Sequence, residues 1–188
     1  MYKRQVPEAI RRAIRAGVKS IEHGQLIDEP TMKLIAEKGV WLSMQPFIGE
    51  GNNHYTNPVQ QAKHELVVQG TDRAYQLAKK YGVKLAWGTD LLFSPANARN
   101  QNLNIEKMTR WFSNFEILKM ITHDNAELLA LSGRRNPYPG KLGVIEEGAL
   151  ADLIVVDGNA LEDIKVLTDP GKNMLLIMKD GKIYKNDL

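Results

Sequence analysis

No cysteine occurs anywhere in the 188 residues. Disulfides and thiolate metal sites are therefore excluded, and a metal would have to be held by His, Asp, Glu or a modified Lys. No apolar run approaches the roughly 20 residues that a membrane span needs, so no membrane partner is expected. The N-terminus lacks the basic start, apolar middle and small-residue cleavage site of a secretory signal. An upstream export signal stays open, and a cytoplasmic location stands only as a default. Blocks of one charge are missing too. The net charge of +3 comes from 25 Lys and Arg spread along the chain, without interleaved aromatics, so no nucleic-acid partner is expected. The densest basic group, Arg11, Arg12 and Arg15, falls on one short predicted helix and reads as a solvated face. What remains is an ordinary globular composition, 43% hydrophobic and 25% charged, enough for one core or parts of two domains.

The first half alternates strictly. Pro7 to Ala16 reads as a helix, with Ile10, Ala13 and Ile14 at helical spacing and Gly17 to close it. Val18 to Glu22 is a short strand ending at His23-Gly24. Asp28 is a candidate N-cap for a second helix that ends at Gly39, and "VWLSM", Val40 to Met44, is a second strand. A polar loop is expected from Pro46 to Pro58. A helix weakened near Gly70 follows from about Gln61 to Tyr81, closed by Gly82. "VKLAW", Val83 to Trp87, is a third strand, running into Gly88-Thr89-Asp90. Short apolar strands between helices point to a parallel α/β sheet covered on both faces. Periodicity does not choose between a doubly wound sheet and a barrel.

Downstream, Ser94 to Asn104 reads as a polar loop. Ser113-x-x-Glu116 and Asp124-x-x-Glu127 both have capping-box form, opening short helices that end before Gly133. "RRNPYPG", Arg134 to Gly140, is linker-like, and the pattern beyond it turns to mostly β. A strand in "LGVI", a Glu146-Glu147-Gly148 turn, a buried strand from Asp152 to Val156 and a hairpin turning at Asp180-Gly181 are expected. A domain change is placed near Pro137.

Two strands end in a side chain able to bind a metal: His23 after the first and Asp90 after the third. Ligands gather at the carboxyl ends of parallel strands, and Gly24 and Gly88 permit close backbone approach there. One imidazole and one carboxylate suit a hard or borderline cation. A strand-end His is also often a structural residue, and an Asp after a strand is often a helix cap; spacing alone leaves both readings open. His54 and His64 read as a loop and a helix-surface residue, and Trp41, Trp87 and Trp111 as core.

Three stretches carry a family resemblance: "AIRAGVKSIEHGQLIDEPTMKLIAEKGVWLSMQPF", "AKKYGVKLAWGTD" and "NAELLALSG...GKLGVIEEGALADLIVVDGNALEDI". In this order they resemble the C-terminal half of metal-dependent amidohydrolases, in the branch similar to imidazolonepropionases and Xaa-Pro dipeptidases. The resemblance covers Val6 to about Tyr184, and the tail segment, with its Gly-rich turn before "ADLIVVD", is its most specific piece. It implies an α/β fold: the last three strands of a (β/α)8 TIM-like barrel over residues 6–136, and the C-terminal part of a small β-sandwich over 137–188. Residues 1–5 do not resemble the family and read as a junction, and the chain reads as a fragment of a larger enzyme.

The resemblance also assigns roles. His23 would match a metal ligand on the sixth barrel strand. Asp90 would match the eighth-strand Asp that ligates metal and shuttles protons as the catalytic residue. The implied cofactor is a divalent metal, zinc by preference, with one or two ions in the complete enzyme. The family's HxH pair, fourth-strand Lys and fifth-strand His have no counterpart here. Gln45, at the start of the loop after the seventh strand, is a candidate substrate contact, with an ordinary loop residue the alternative. The implied reaction is hydrolysis of an amide-type C–N bond, in a cyclic amide, N-acyl compound or dipeptide, by metal-activated water. The isolated chain is expected to be inactive, and its unpaired parallel edge invites aggregation or pairing, a homo-oligomer included. The alternative is a non-catalytic binding or assembly protein that keeps a half-barrel.

Overall fold

A computed structural model describes residues 6–49, 56–91 and 95–188. The expected junction at 1–5, His54 and the middle of the loop after Met44 lie outside the described residues. The chain is mixed α/β and divides into two compact units, Met1–Gly88 and Thr89–Leu188. No helix among the described residues is long and apolar enough to cross a membrane.

The first unit contains α1 (Pro7–Arg15), β1 (Ser20–Glu22), α2 (Glu29–Glu37), β2 (Trp41–Met44), α3 (Pro58–Tyr81) and β3 (Leu85–Trp87). The strands form a parallel sheet in the order β1-β2-β3, with Ile21 opposite Leu42 and Leu42 opposite Leu85. Central β2 is buried at all four residues, as expected of a strand covered on both faces. Ile10 and Ile14 of α1, Met32 and Ile35 of α2, and Ala74, Tyr75 and Ala78 of α3 are buried, and so are Leu42 and Met44 of β2. Asp28 caps α2 by accepting from the Thr31 N–H at 3.0 Å. Arg11 ties α1 to that cap, donating to Asp28 at 3.2 Å and to the Thr31 hydroxyl at 2.8 Å. At the same end of α2, Glu29 accepts from Lys80 at 2.7 Å and from the Tyr81 hydroxyl, pinning α3 alongside.

Helix α3 departs from expectation in two respects. It begins at Pro58, because Asn57 caps it, accepting from the Val59 N–H at 2.9 Å, and Pro58 fits the first turn. It also runs through Gly70 without a break. A Cβ on Gly70 would sit 2.3 Å from the Gln25 carbonyl oxygen and 3.0 Å from its carbon, so glycine here allows a helix to cross directly over the loop after β1.

The second unit contains α4 (Pro95–Arg99), α5 (Leu103–Lys107), α6 (Asn114–Lys119), α7 (Asn125–Ala130), β4 (Leu153–Val156), α8 (Pro170–Asn173), β5 (Met174–Lys179) and β6 (Lys182–Asn186). The stretch expected as a loop to Asn104 is instead largely helical, with Pro95 opening α4. The Ser113/Glu116 capping box is present at α6. The second capping box is not. Asp124 has helical dihedrals and caps nothing, because one wide turn over Met120–Asp124 joins α6 and α7 into a single run.

Strands β4, β5 and β6 form an antiparallel sheet in that order. Asp180 and Gly181 turn the β5–β6 hairpin at φ 49° and 72°, the paired positive values of the favoured two-residue turn. No strand forms in "LGVI". Gly143 has φ 71°, and a Cβ there would lie 2.7 Å from the Thr122 carbonyl oxygen and 2.8 Å from the His123 Cα. The segment docks against the wide turn instead of pairing in a sheet. The Glu146–Ala149 turn does form, closed by Ala149 N–H to Glu146 O at 3.2 Å with Gly148 at φ 84°. Buried Ile105, Met108, Phe112, Ile117, Ile164 and Leu167 supply apolar packing in this unit.

Candidate metal centre at the strand ends

Three non-glycine residues with positive φ occur among the described residues: His23 at 74°, Asp90 at 53° and Asp180 at 49°. The hairpin accounts for Asp180. Of the other two, His23 immediately follows the carboxyl end of β1, and Asp90 follows β3 after Gly88 and Thr89, at the positions singled out in the sequence. A left-handed backbone costs a non-glycine residue on the order of 1 kcal/mol, and such strain collects at functional sites.

His23 still belongs to the ladder on its backbone side, its N–H donating to Ser43 O at 2.8 Å. The chain then leaves the sheet through the left-handed His23 and Gly24, the latter at φ 84°. A Cβ on Gly24 would meet Leu42 and Ile27 side-chain carbons at 2.7 and 2.9 Å, so only glycine lets the turn lie flat on the core. Ile27 N–H to Gly24 O at 3.1 Å closes the turn. The His23 ring is half-buried. Its Nδ1 lies 2.9 Å from Gln45 Oε1, and the buried Gln25 donates to that same oxygen from Nε2 at 3.2 Å.

Gln45 is thus not a loop side chain reaching outward. It is 6% exposed and Gln25 is 0% exposed, and both carboxamides meet beside His23. Pro46 follows, and Phe47 N–H closes a tight turn onto Gln45 O at 3.0 Å, which fixes the Gln45 backbone at the end of β2. Nothing in the sequence marks Gln25 as a polar core residue. The only available hint was its place two residues after a strand-end His.

Asp90 is exposed and falls in the second unit. An imidazole with one nitrogen engaged by an acceptor, and a carboxylate on a strained backbone, are the donor types that suit a divalent cation. Each by itself has the chemistry of a metal donor. His64 lies half-buried on α3, and Trp41 is buried with Lys84 over its ring at 5.4 Å. Trp87 and Trp111 are half-buried.

Within the second unit a cluster of donors is present: His123, Asp124 and Glu127 offer atoms within 4.8 Å of one another. Lys119 pairs with Asp124, and His123 Nδ1 lies 2.9 Å from the same carboxylate. Its chemistry is that of a surface ion-pair network.

Comparison with known proteins bears on the family. Residues 6–184 match the sequence profile of the amidohydrolase family. Ochratoxinase from Aspergillus niger is 33% identical over 180 residues, covering 94% of this chain and 36% of its own. A prolidase crystallised with N-methylphosphonate-L-proline superposes with a TM-score of 0.81 at 33% identity, covering 96% of this chain and 43% of its own. A Xaa-Pro dipeptidase with methionine in its active site gives 0.79 at 31% identity, with coverages of 97% and 43%. The chain spans less than half the length of each.

Proposed function

The chain belongs to the amidohydrolase family over residues 6–184, and on that premise we propose that it supplies part of a metal-dependent hydrolase of amide-type C–N bonds. In this reading residues 6–136 are the last three βα units of a (β/α)8 barrel and 137–188 part of a β-sandwich. His23 and Asp90 are ligands to a divalent metal, zinc by preference. Substrates are N-acyl compounds or dipeptides, in keeping with the ochratoxinase, prolidase and Xaa-Pro dipeptidase relatives.

One observation carries the assignment. Among the described residues, the two left-handed non-glycine residues that no hairpin explains are His23 and Asp90. A bound divalent cation would polarise the scissile carbonyl and lower the pKa of a water. Asp90 would take a proton from that water onto a carboxylate oxygen and deliver it to the leaving nitrogen. His23 would donate two electrons from one ring nitrogen while the other stays hydrogen-bonded within the protein.

Metal content after zinc loading, measured on the wild type, His23→Ala and Asp90→Asn, tests the reading. Each substitution is expected to lower zinc retention. Unchanged retention in both would sink the proposal. The 188-residue chain with zinc supplied is expected to show no steady turnover of an N-acyl amino acid or a dipeptide. The HxH, Lys and further His ligands that the resemblance implies have no counterpart in it.

A further inference from the structure

We propose that Gln45 is a positioning residue: it holds the His23 imidazole as the Nδ1–H tautomer and so presents Nε2 as the nitrogen for a divalent cation. The inference rests on the reading of His23 as a metal ligand.

The wiring follows from what each group can donate. Gln25 Nε2 is an amide nitrogen and only donates. The Gln45 atom it meets at 3.2 Å is therefore the carbonyl oxygen Oε1. That oxygen has a second lone pair, and His23 Nδ1 lies 2.9 Å away. An oxygen acceptor at that distance requires the proton on Nδ1. A neutral imidazole with Nδ1 protonated carries its lone pair on Nε2.

Burial gives the arrangement its rigidity. An amide taken out of water without a partner is costly, so Gln25 and Gln45, both buried, are held to the geometry that satisfies them. Three segments bring the groups together: the turn after β1, the end of β2, and α3. Gly70 of α3 presses on the Gln25 backbone, leaving no room for a Cβ. The left-handed backbone of His23 then sets where the ring stands relative to Gln45. Gln45 therefore acts through His23 and not through substrate.

Long-range 15N–1H NMR of the His23 ring under mildly alkaline conditions reads the tautomer directly. The wild-type spectrum tests the wiring with no substitution, and a proton on Nε2 would overturn the inference, since it would mean Gln45 donates to Nδ1. Gln45→Leu, confirmed folded by circular dichroism, is expected to lose the Nδ1–H preference and to bind zinc about 10–100-fold more weakly. Gln45→Glu keeps an acceptor and is expected to keep the tautomer. A Leu variant that retains both the Nδ1–H tautomer and the wild-type zinc affinity also refutes the inference. Zinc titration separates the two claims: a wild-type Nε2 resonance that zinc leaves unmoved removes the ligand reading itself, and this inference with it.

Discussion

Replacing Gly70 with alanine sets two effects of opposite sign against each other. In an unconstrained helix interior the change would stabilise by about 1 kcal/mol, from helix propensity. At this position the added methyl would sit 2.3 Å from the Gln25 carbonyl oxygen, 3.0 Å from its carbon and 3.1 Å from Leu26 Cδ2. The obstacle is chiefly backbone, which cannot swing aside as a side-chain tip can. Overpacking of this kind costs about 1–3 kcal/mol, and a backbone obstacle places it in the upper half of that range. The net expectation is a loss of about 1–2 kcal/mol. Urea denaturation followed by tryptophan fluorescence should show a lower midpoint at unchanged slope. Gln69→Ala, one residue away on the exposed side of the helix, should stay within about 0.5 kcal/mol. If Gly70→Ala instead gained the full propensity increment, the close crossing of α3 over the β1 turn would be refuted.

Two further outcomes follow from the same geometry. Desolvation pushes the Asp28 carboxyl up, but hydrogen bonds from the Thr31 hydroxyl and N–H and from Arg11 outweigh it and hold it below the usual value of 3.8. Its stabilising contribution is therefore present above that pH and lost as pH falls through the depressed value; Asp28→Asn should flatten the acid limb of stability against pH, and an unchanged limb would contradict the cap. Asp90→Gly removes a carboxylate from a backbone at φ 53°; thermal melts should show no loss of stability while zinc retention falls, and a large drop in melting temperature would mean that Asp90 is structural.

Helices and turns with local signatures were readable residue by residue. Asp28, Gly82, the Ser113/Glu116 box and the Asp180-Gly181 hairpin act where their chemistry places them, because capping and turn formation involve groups only a few positions apart. Asn57-Pro58 was an equally local signal for the start of α3, visible in hindsight. Asp124 failed for a local reason as well: a capping pattern works only if the chain arrives non-helical, and here the preceding helix runs straight through it.

The sequence by itself determined the alternation of strands and helices, the family, and the two strand-end residues His23 and Asp90. Those properties rest on short-range periodicity and on residue type next to glycine. Tertiary structure alone decided what surrounds them. It showed that both sit on left-handed backbone and that Gln25 and Gln45 meet at one oxygen beside His23. It also turned Gly70 from an apparent flaw in a helix into the contact that holds the β1 turn. The last two join positions some 20 to 50 residues apart, brought together only by parallel pairing and helix crossing, and pattern along the chain does not encode which distant atoms will touch.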